Sequence, residues 1–72
     1  MPKLPALKPR QVVTALERAG FYRVRQRGSY LQLKKGNLLV TVPMHARDLN
    51  PATLRSIVRQ ARMSVDELLA LL

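Results

Sequence analysis

Alternating basic residues are the first pattern in this sequence that could do chemistry. Arg23, Arg25 and Arg27 occupy every second position of a run that also contains Tyr22 and Val24. Because side chains of a β-strand alternate between its two faces, this spacing predicts a half-buried strand with the arginines on the solvated face and the apolar residues inward. Guanidinium groups bind phosphates in a bidentate manner, so this face suits a polyanion.

A second alternating segment follows a Gly-Ser turn. Leu31 and Leu33 should point inward, and Tyr30, Gln32 and Lys34 should join the arginines on the solvated face. An aromatic ring among cations can stack a nucleic-acid base, so this face is a candidate RNA-binding surface. The alternative is that the arginines are only solvated and discourage edge aggregation, with the tyrosine covering an apolar patch.

His45 is the only imidazole of the chain, in a segment between the last predicted strand and the next helix. The reference pKa of an imidazole, about 6.5, suits proton transfer to or from an RNA 2′-hydroxyl or leaving oxygen. A lone loop histidine is more often structural or in contact with phosphate, so both readings stay open. We expect Asp48 to form a local hydrogen bond or an ion pair with Arg47, and Glu17 to pair with a neighbouring base.

The elements that must position these side chains follow from apolar spacing and turn residues. A helix is predicted over residues 9–19, ending at Gly20. Strands follow over residues 21–27, 30–34 and 38–42, and the third, being the most apolar, is expected to be central or covered on both faces. A helix begins after Asn50 as N-cap, and Ser64 with Glu67 forms a capping box for a short C-terminal helix.

The order α-β-β-β-α-α predicts an α+β fold with a three-stranded antiparallel sheet and helices on one face. Residues 1–8 contain two prolines and are read as an N-terminal arm, and residues 9–72 as a single domain. Four of the last five residues are leucines. These leucines either face a partner or a second copy of the chain, or pack back on the first helix.

Composition narrows the function classes. The chain has 72 residues and a formal net charge of +9, which favours a nucleic-acid partner over an acidic protein or a membrane surface. Cysteine is absent, and one His with four scattered acids argues against a metal cluster, so no cofactor is expected. No apolar run reaches the length of a membrane span, so we expect a cytoplasmic protein.

Three segments together resemble the HicA-type (YcfA-like) mRNA interferase toxins. The run Gly20–Ser29 resembles the first-strand signature of that family, Val40–His45 its exit from the third strand, and Leu49–Ala61 its closing helix. The resemblance covers about residues 9–72 in the family's order and spacing. It is carried by the segments together, because each alone is modest evidence.

The resemblance implies a double-stranded-RNA-binding-domain-like fold and ribosome-independent cleavage of mRNA, the activity of an endoribonuclease in a type II toxin–antitoxin system. It also implies a HicB-type antitoxin that masks the active site, so a toxin–antitoxin hetero-oligomer or a homo-oligomer is expected. The predicted RNA-binding residues are Arg23, Arg25, Arg27, Ser29, Gln32 and Lys34.

The sequence departs from the family at one position. The family has a catalytic His directly after Gly-Ser, and here Gly28-Ser29 is followed by Tyr30. A phenol is a poor general base at neutral pH because its reference pKa is about 10. The resemblance thus implies that Tyr30 stands at the catalytic position, with His45 bordering the site. The chain is then either a natural variant with weakened or lost nuclease activity or a form that carries an inactivating substitution. The alternative is a non-catalytic module that binds RNA or an antitoxin.

Overall fold

A meander of three antiparallel strands, preceded by one helix and followed by two, makes up the structure. This is a computed structural model that describes residues 6–45 and 47–72. The elements are α1 (Pro9–Arg18), β1 (Tyr22–Arg27), β2 (Tyr30–Lys35), β3 (Leu38–Pro43), α2 (Pro51–Gln60) and α3 (Val65–Ala70). The predicted α+β order and the three-stranded antiparallel sheet are confirmed.

Local signals end and begin the helices where the sequence predicts. Gly20 follows α1 with φ of +102°, a conformation that a side chain would strain. The Asn50 Oδ1 accepts a hydrogen bond of 2.8 Å from the Thr53 N–H at the start of α2. Ser64 and Glu67 each accept a bond from the other's backbone N–H at 3.1 Å, which is the predicted capping box of α3.

The core lies on one face of the sheet. Leu31 and Leu33 of β2 and Val40 and Val42 of β3 are buried under the helices. Since these residues alternate with exposed or half-buried ones, only one face of β2 and β3 is covered. The helices contribute buried apolar side chains to the same cluster, namely Val12, Val13, Leu16, Leu54, Ile57, Val58 and Leu68.

The prediction that β3 is central or covered on both faces is wrong. The strand order is β1-β2-β3, so β2 is central and β3 is an edge strand. Two tight turns join the strands in sequence, which leaves the middle segment in the middle of the sheet. Leu39 of β3 is 48% exposed because it lies on the face opposite the helices.

The prediction that β1 is half buried is also wrong. All six of its residues are exposed, including Tyr22 and Val24 at 54% and 45%. The physical reason is its edge position: the helices pack over β2 and β3, so neither face of β1 is covered.

The chain ends fit the predictions only in part. Residues 1–5 of the predicted arm lie outside the described residues, whereas Leu7 is buried and its carbonyl accepts a 2.8 Å bond from the Leu49 N–H. Leu68 is buried in the core, and α3 packs against α1, so the C-terminal leucines pack back on the first helix. Leu72 stays 46% exposed. In the described part of the chain, no helix is both long and apolar enough to cross a membrane.

The burial of only one face of the sheet can be tested with a matched pair of substitutions. Leu33→Ala should lower the free energy of unfolding by about 2–5 kcal/mol, because it leaves a cavity in the core. Leu39→Ala removes the same atoms from the uncovered face and should change it by less than about 0.5 kcal/mol. Chemical denaturation of both variants measures the difference. Equal losses would contradict the assignment of the two faces.

Candidate nucleic-acid interface

A β-bulge in β1 decides which of its side chains share a face. The pairing of β1 with β2 shifts between Arg23 and Arg25, so that Val24 is the extra residue. Tyr22 is opposite Lys34, Arg25 is opposite Gln32, and Arg27 is opposite Tyr30. Directly opposed residues of an antiparallel pair point to the same face, so Tyr22, Arg25 and Arg27 lie on one side of the sheet.

The bulge separates Arg23 from the other two arginines. Arg23 is opposite Leu33, whose side chain is buried under the helices. Its Nε lies 3.6 Å from the Glu17 Oε2 on α1, which confirms the predicted pairing of Glu17. The prediction that Arg23, Arg25 and Arg27 share a face is therefore wrong for Arg23, because strict alternation is interrupted at the extra residue.

We call the sheet surface away from the helices the open face. Its side chains form three rows across the strands, as fixed by the two sets of cross-strand pairs. The rows are Tyr22–Lys34–Leu39, Arg25–Gln32–Thr41 and Arg27–Tyr30–Pro43. The predicted positions of Tyr30, Gln32 and Lys34 on one face, with Leu31 and Leu33 on the other, are confirmed.

Charge on the open face is of one sign. It carries Arg25, Arg27 and Lys34, and in the described part of the chain none of the four acidic residues lies on a strand. Cations that are not paired with neighbouring carboxylates remain available to phosphates, and each adds to the positive potential of the surface. The open face is thus the cationic side of the sheet.

Other charged residues near the sheet do not lie on the open face. Lys35 points to the helix side, where its Nζ donates a 2.6 Å bond to the Ala19 carbonyl at the end of α1. Within residues 6–45 and 47–72 the one ion pair is that of Arg23 with Glu17. For Asp48 either a local hydrogen bond or an ion pair with Arg47 is predicted, and of these two the ion pair is not formed there.

Tyr30 and His45 are in contact at one end of the open face. Their ring centroids lie 5.4 Å apart and the ring planes meet at 72°, an edge-to-face arrangement. Tyr30 remains 51% exposed and His45 is exposed, so both rings can be reached from solvent. The structure therefore brings together the two candidate catalytic residues.

Ser29 lies in the tight turn beside this contact. Its carbonyl accepts a 2.6 Å bond from the Met44 N–H, which ties the β1–β2 turn to the residue before His45. The turn is closed further by a 3.0 Å bond from the Gln26 Nε2 to the Gly28 carbonyl. These bonds fix the backbone on both sides of the Tyr30–His45 contact.

A groove of about 440 Å³ runs from this contact towards α2. One wall is polar. There the Gln60 Oε1 accepts a 3.0 Å hydrogen bond from the Thr41 N–H, so that this backbone N–H of the edge strand β3 has a partner. Asn50 and Thr53 come from the first turn of α2. The lining residues are Tyr30, Thr41, Pro43, His45, Asp48, Leu49, Asn50, Thr53 and Gln60.

Part of this surface cannot be predicted from the sequence. Simple alternation predicts that Tyr22 points inward, and the apolar character of β3 predicts that Leu39 is covered, yet both lie on the open face. Gln60 and Thr53 had no sequence signal, because they reach the groove only through the docking of α2 against β3. Among the described residues, no cluster of His, Asp and Glu could hold a metal ion.

Comparison with protein families gives one match. The family described as "HicA toxin of bacterial toxin-antitoxin" matches residues 9–63, which include every strand, α1 and α2. No curated protein matches the chain significantly.

The placement of Arg25 and Arg27 on a different face from Arg23 can be tested by the binding of single-stranded RNA. Arg25→Gln and Arg27→Gln should each weaken binding and lower the slope of log K against log salt by about 0.7, the value for one lost phosphate contact. Arg23→Gln is the matched control, since this arginine is engaged with Glu17 on the helix side. Binding curves at several salt concentrations give the slopes. A slope that falls equally in all three variants would contradict the assignment of faces.

Proposed function

Because the chain belongs to the HicA toxin family of bacterial toxin–antitoxin systems, we propose that it is an RNA-binding toxin whose open face holds messenger RNA. One observation carries the proposal: Arg27, Tyr30 and His45 come together at one end of a cationic sheet surface. Cations for the phosphates beside an exposed aromatic ring are what single-stranded RNA requires.

Binding is assigned to side chains that share the open face. Arg25, Arg27 and Lys34 neutralise phosphates, and Gln32 offers an amide to a base edge or a phosphate. Tyr30 stacks on a base, which its 51% exposure allows. Ser29 borders the site from the turn, and its exposed hydroxyl can donate to a phosphate oxygen.

Chemistry is assigned to the contact of Tyr30 with His45. Attack of an RNA 2′-hydroxyl on the adjacent phosphorus needs one group to take the proton of the hydroxyl and another to protonate the leaving oxygen. The chain has one imidazole, so His45 can fill only one of these roles. Tyr30 stands where the family has its catalytic His and supplies a phenol for the other. We therefore propose an endoribonuclease weakened at Tyr30.

An antitoxin is the expected protein partner, since the family consists of toxins from toxin–antitoxin systems. We propose a HicB-type antitoxin that covers the open face in the cytoplasm. With a toxin of net charge +9, the complementary surface of such a partner is acidic. The product of a neighbouring acidic reading frame should co-purify with this chain and displace RNA from it. Co-purification without displacement would contradict masking of the open face.

Cleavage of single-stranded RNA tests the proposed chemistry. Tyr30→His restores the family's residue and should raise the cleavage rate by about 10²–10⁴-fold, the usual contribution of a general acid or base. The unchanged chain should cut slowly, and His45→Ala should abolish that slow cleavage. Tyr30→Phe keeps the ring but removes the hydroxyl, so it should retain binding and lose cleavage.

Binding measured beside cleavage separates the two parts of the proposal. If the unchanged chain and Tyr30→His both bind RNA and neither cuts it, the chain is the non-catalytic module and the enzymatic part is wrong. If the unchanged chain fails to bind single-stranded RNA at low salt, the RNA-binding part is wrong as well.

A further inference from the structure

Tyr22 lies at the end of the open face away from Tyr30, and we propose that it is a second stacking platform for single-stranded RNA. The inference rests on the RNA-binding function proposed above and extends it to the far end of the sheet. The RNA strand then crosses all three rows of the open face, with a base on an aromatic ring at each end.

The bulge in β1 is what brings Tyr22 to this face. Tyr22 and Arg27 are five positions apart, so simple alternation would place them on opposite faces of the strand. With Val24 as the extra residue, they pair with Lys34 and Tyr30, which are four positions apart and share a face. The bulge thus places Arg23 on the helix side and the aromatic ring of Tyr22 on the open face.

The two rings are equally accessible. Tyr22 is 54% exposed and Tyr30 is 51% exposed, so each can offer a ring face to a base. A tyrosine has few rotatable bonds, and ordering it against a base costs little conformational entropy. An exposed aromatic residue on an open sheet is also the arrangement by which sheet-based domains bind unpaired bases.

The spacing of the rings matches a short stretch of an extended strand. Four residues of β2 separate the rows of Tyr22 and Tyr30, which corresponds to about 13 Å along the strand direction. A short stretch of an extended single strand covers this distance. Between the two aromatic rows lies the row of Arg25 and Gln32, where the phosphates between the two stacked bases would be held.

Charge and shape favour single-stranded RNA over the other occupants. A second copy of the chain would bring Arg25, Arg27 and Lys34 against the same cations, which is repulsive. A duplex keeps its bases stacked inside and cannot present them to either tyrosine. A protein strand could cover Leu39 and Tyr22, but it has no bases to stack on the rings of Tyr22 and Tyr30.

The test measures binding of an oligouridylate of about six nucleotides, the length that spans both rings with a margin. The RNA carries 2′-O-methyl groups so that it is not cut. Tyr22→Ala should weaken binding about 5-fold to 150-fold, the range for loss of one stacked base. Tyr22→Phe should bind as the unchanged chain does, whereas Tyr22→Leu should bind as weakly as Tyr22→Ala, because stacking needs a ring.

Two controls separate stacking from a general loss of structure. Leu72→Ala removes an exposed apolar side chain at the C-terminus, beyond the sheet, and should leave binding unchanged. Thermal unfolding of Tyr22→Ala should match that of the unchanged chain, since Tyr22 contributes nothing to the buried core.

The outcomes distinguish this inference from the proposed function. If Arg27→Gln and Tyr30→Ala weaken binding and Tyr22→Ala does not, the second platform is wrong and the RNA-binding function stands. If Tyr22→Leu binds as tightly as the unchanged chain, the contact is apolar and stacking is wrong. If none of these changes affects the binding of RNA but Tyr22→Ala weakens binding of the antitoxin, the open face is a protein-binding surface. In that case both the RNA-binding function and the second platform are wrong.

Discussion

Burial of one face of the central strand is the constraint on which the rest of the structure depends. Leu31 and Leu33 are covered by the helices, together with Val40 and Val42 of the neighbouring strand. Because the side chains of a strand alternate, covering these residues fixes Tyr30, Gln32 and Lys34 on the opposite face. A slip of one residue in the pairing would bury the polar set and expose the leucines, so the composition of the open face follows from the register of the core.

The edge strand has more freedom, and its bulge divides its charges. Helices do not cover β1, so nothing forces its residues to alternate strictly. The extra residue at Val24 lets Arg23 reach Glu17 on α1, while Arg25 and Arg27 stay on the open face. An exposed ion pair of this kind contributes at most about 1 kcal/mol to stability. Its larger consequence is that the neighbouring carboxylate is held on the helix side, away from the cations of the open face.

The elements could be read from the sequence because their signals are local. Gly20 ends a helix, Asn50 begins one, and Ser64 with Glu67 caps another, each through contacts within a few residues. The inward set of β2 could be predicted for the same reason. The face of Tyr22 could not, because it depends on how β1 and β2 compete for register, and a bulge has no marker in this sequence. The apolar character of β3 was misleading, since Leu39 is apolar and lies on the open face.

The same distinction between local and long-range signals applies to the candidate site. Tyr30, Gln32 and Lys34 lie on one strand, so alternation alone assigns their face. The contact of Tyr30 with His45 joins the start of β2 to the segment after β3, and the Ser29–Met44 hydrogen bond and the pairing of Tyr30 with Pro43 hold the same two segments together. Gln60 reaches the groove from α2, a relation that depends on helix docking.

In the proposed function, a tyrosine at position 30 affects RNA binding and RNA cleavage differently. Its ring is a stacking surface as an imidazole is, and the edge-to-face contact with His45, worth about 0.5–1.5 kcal/mol in aromatic pairs, holds it in place. Half of the residue stays exposed, so this contact leaves ring surface for a base. A phenol does not replace an imidazole in proton transfer, because the reference pKa values of the two groups differ by several units. In the proposed function, the affinity for RNA depends on rings and cations spread over three rows, whereas the rate of cleavage depends on the proton-transferring groups at one end. A change confined to that end would therefore lower the rate and leave most of the affinity intact.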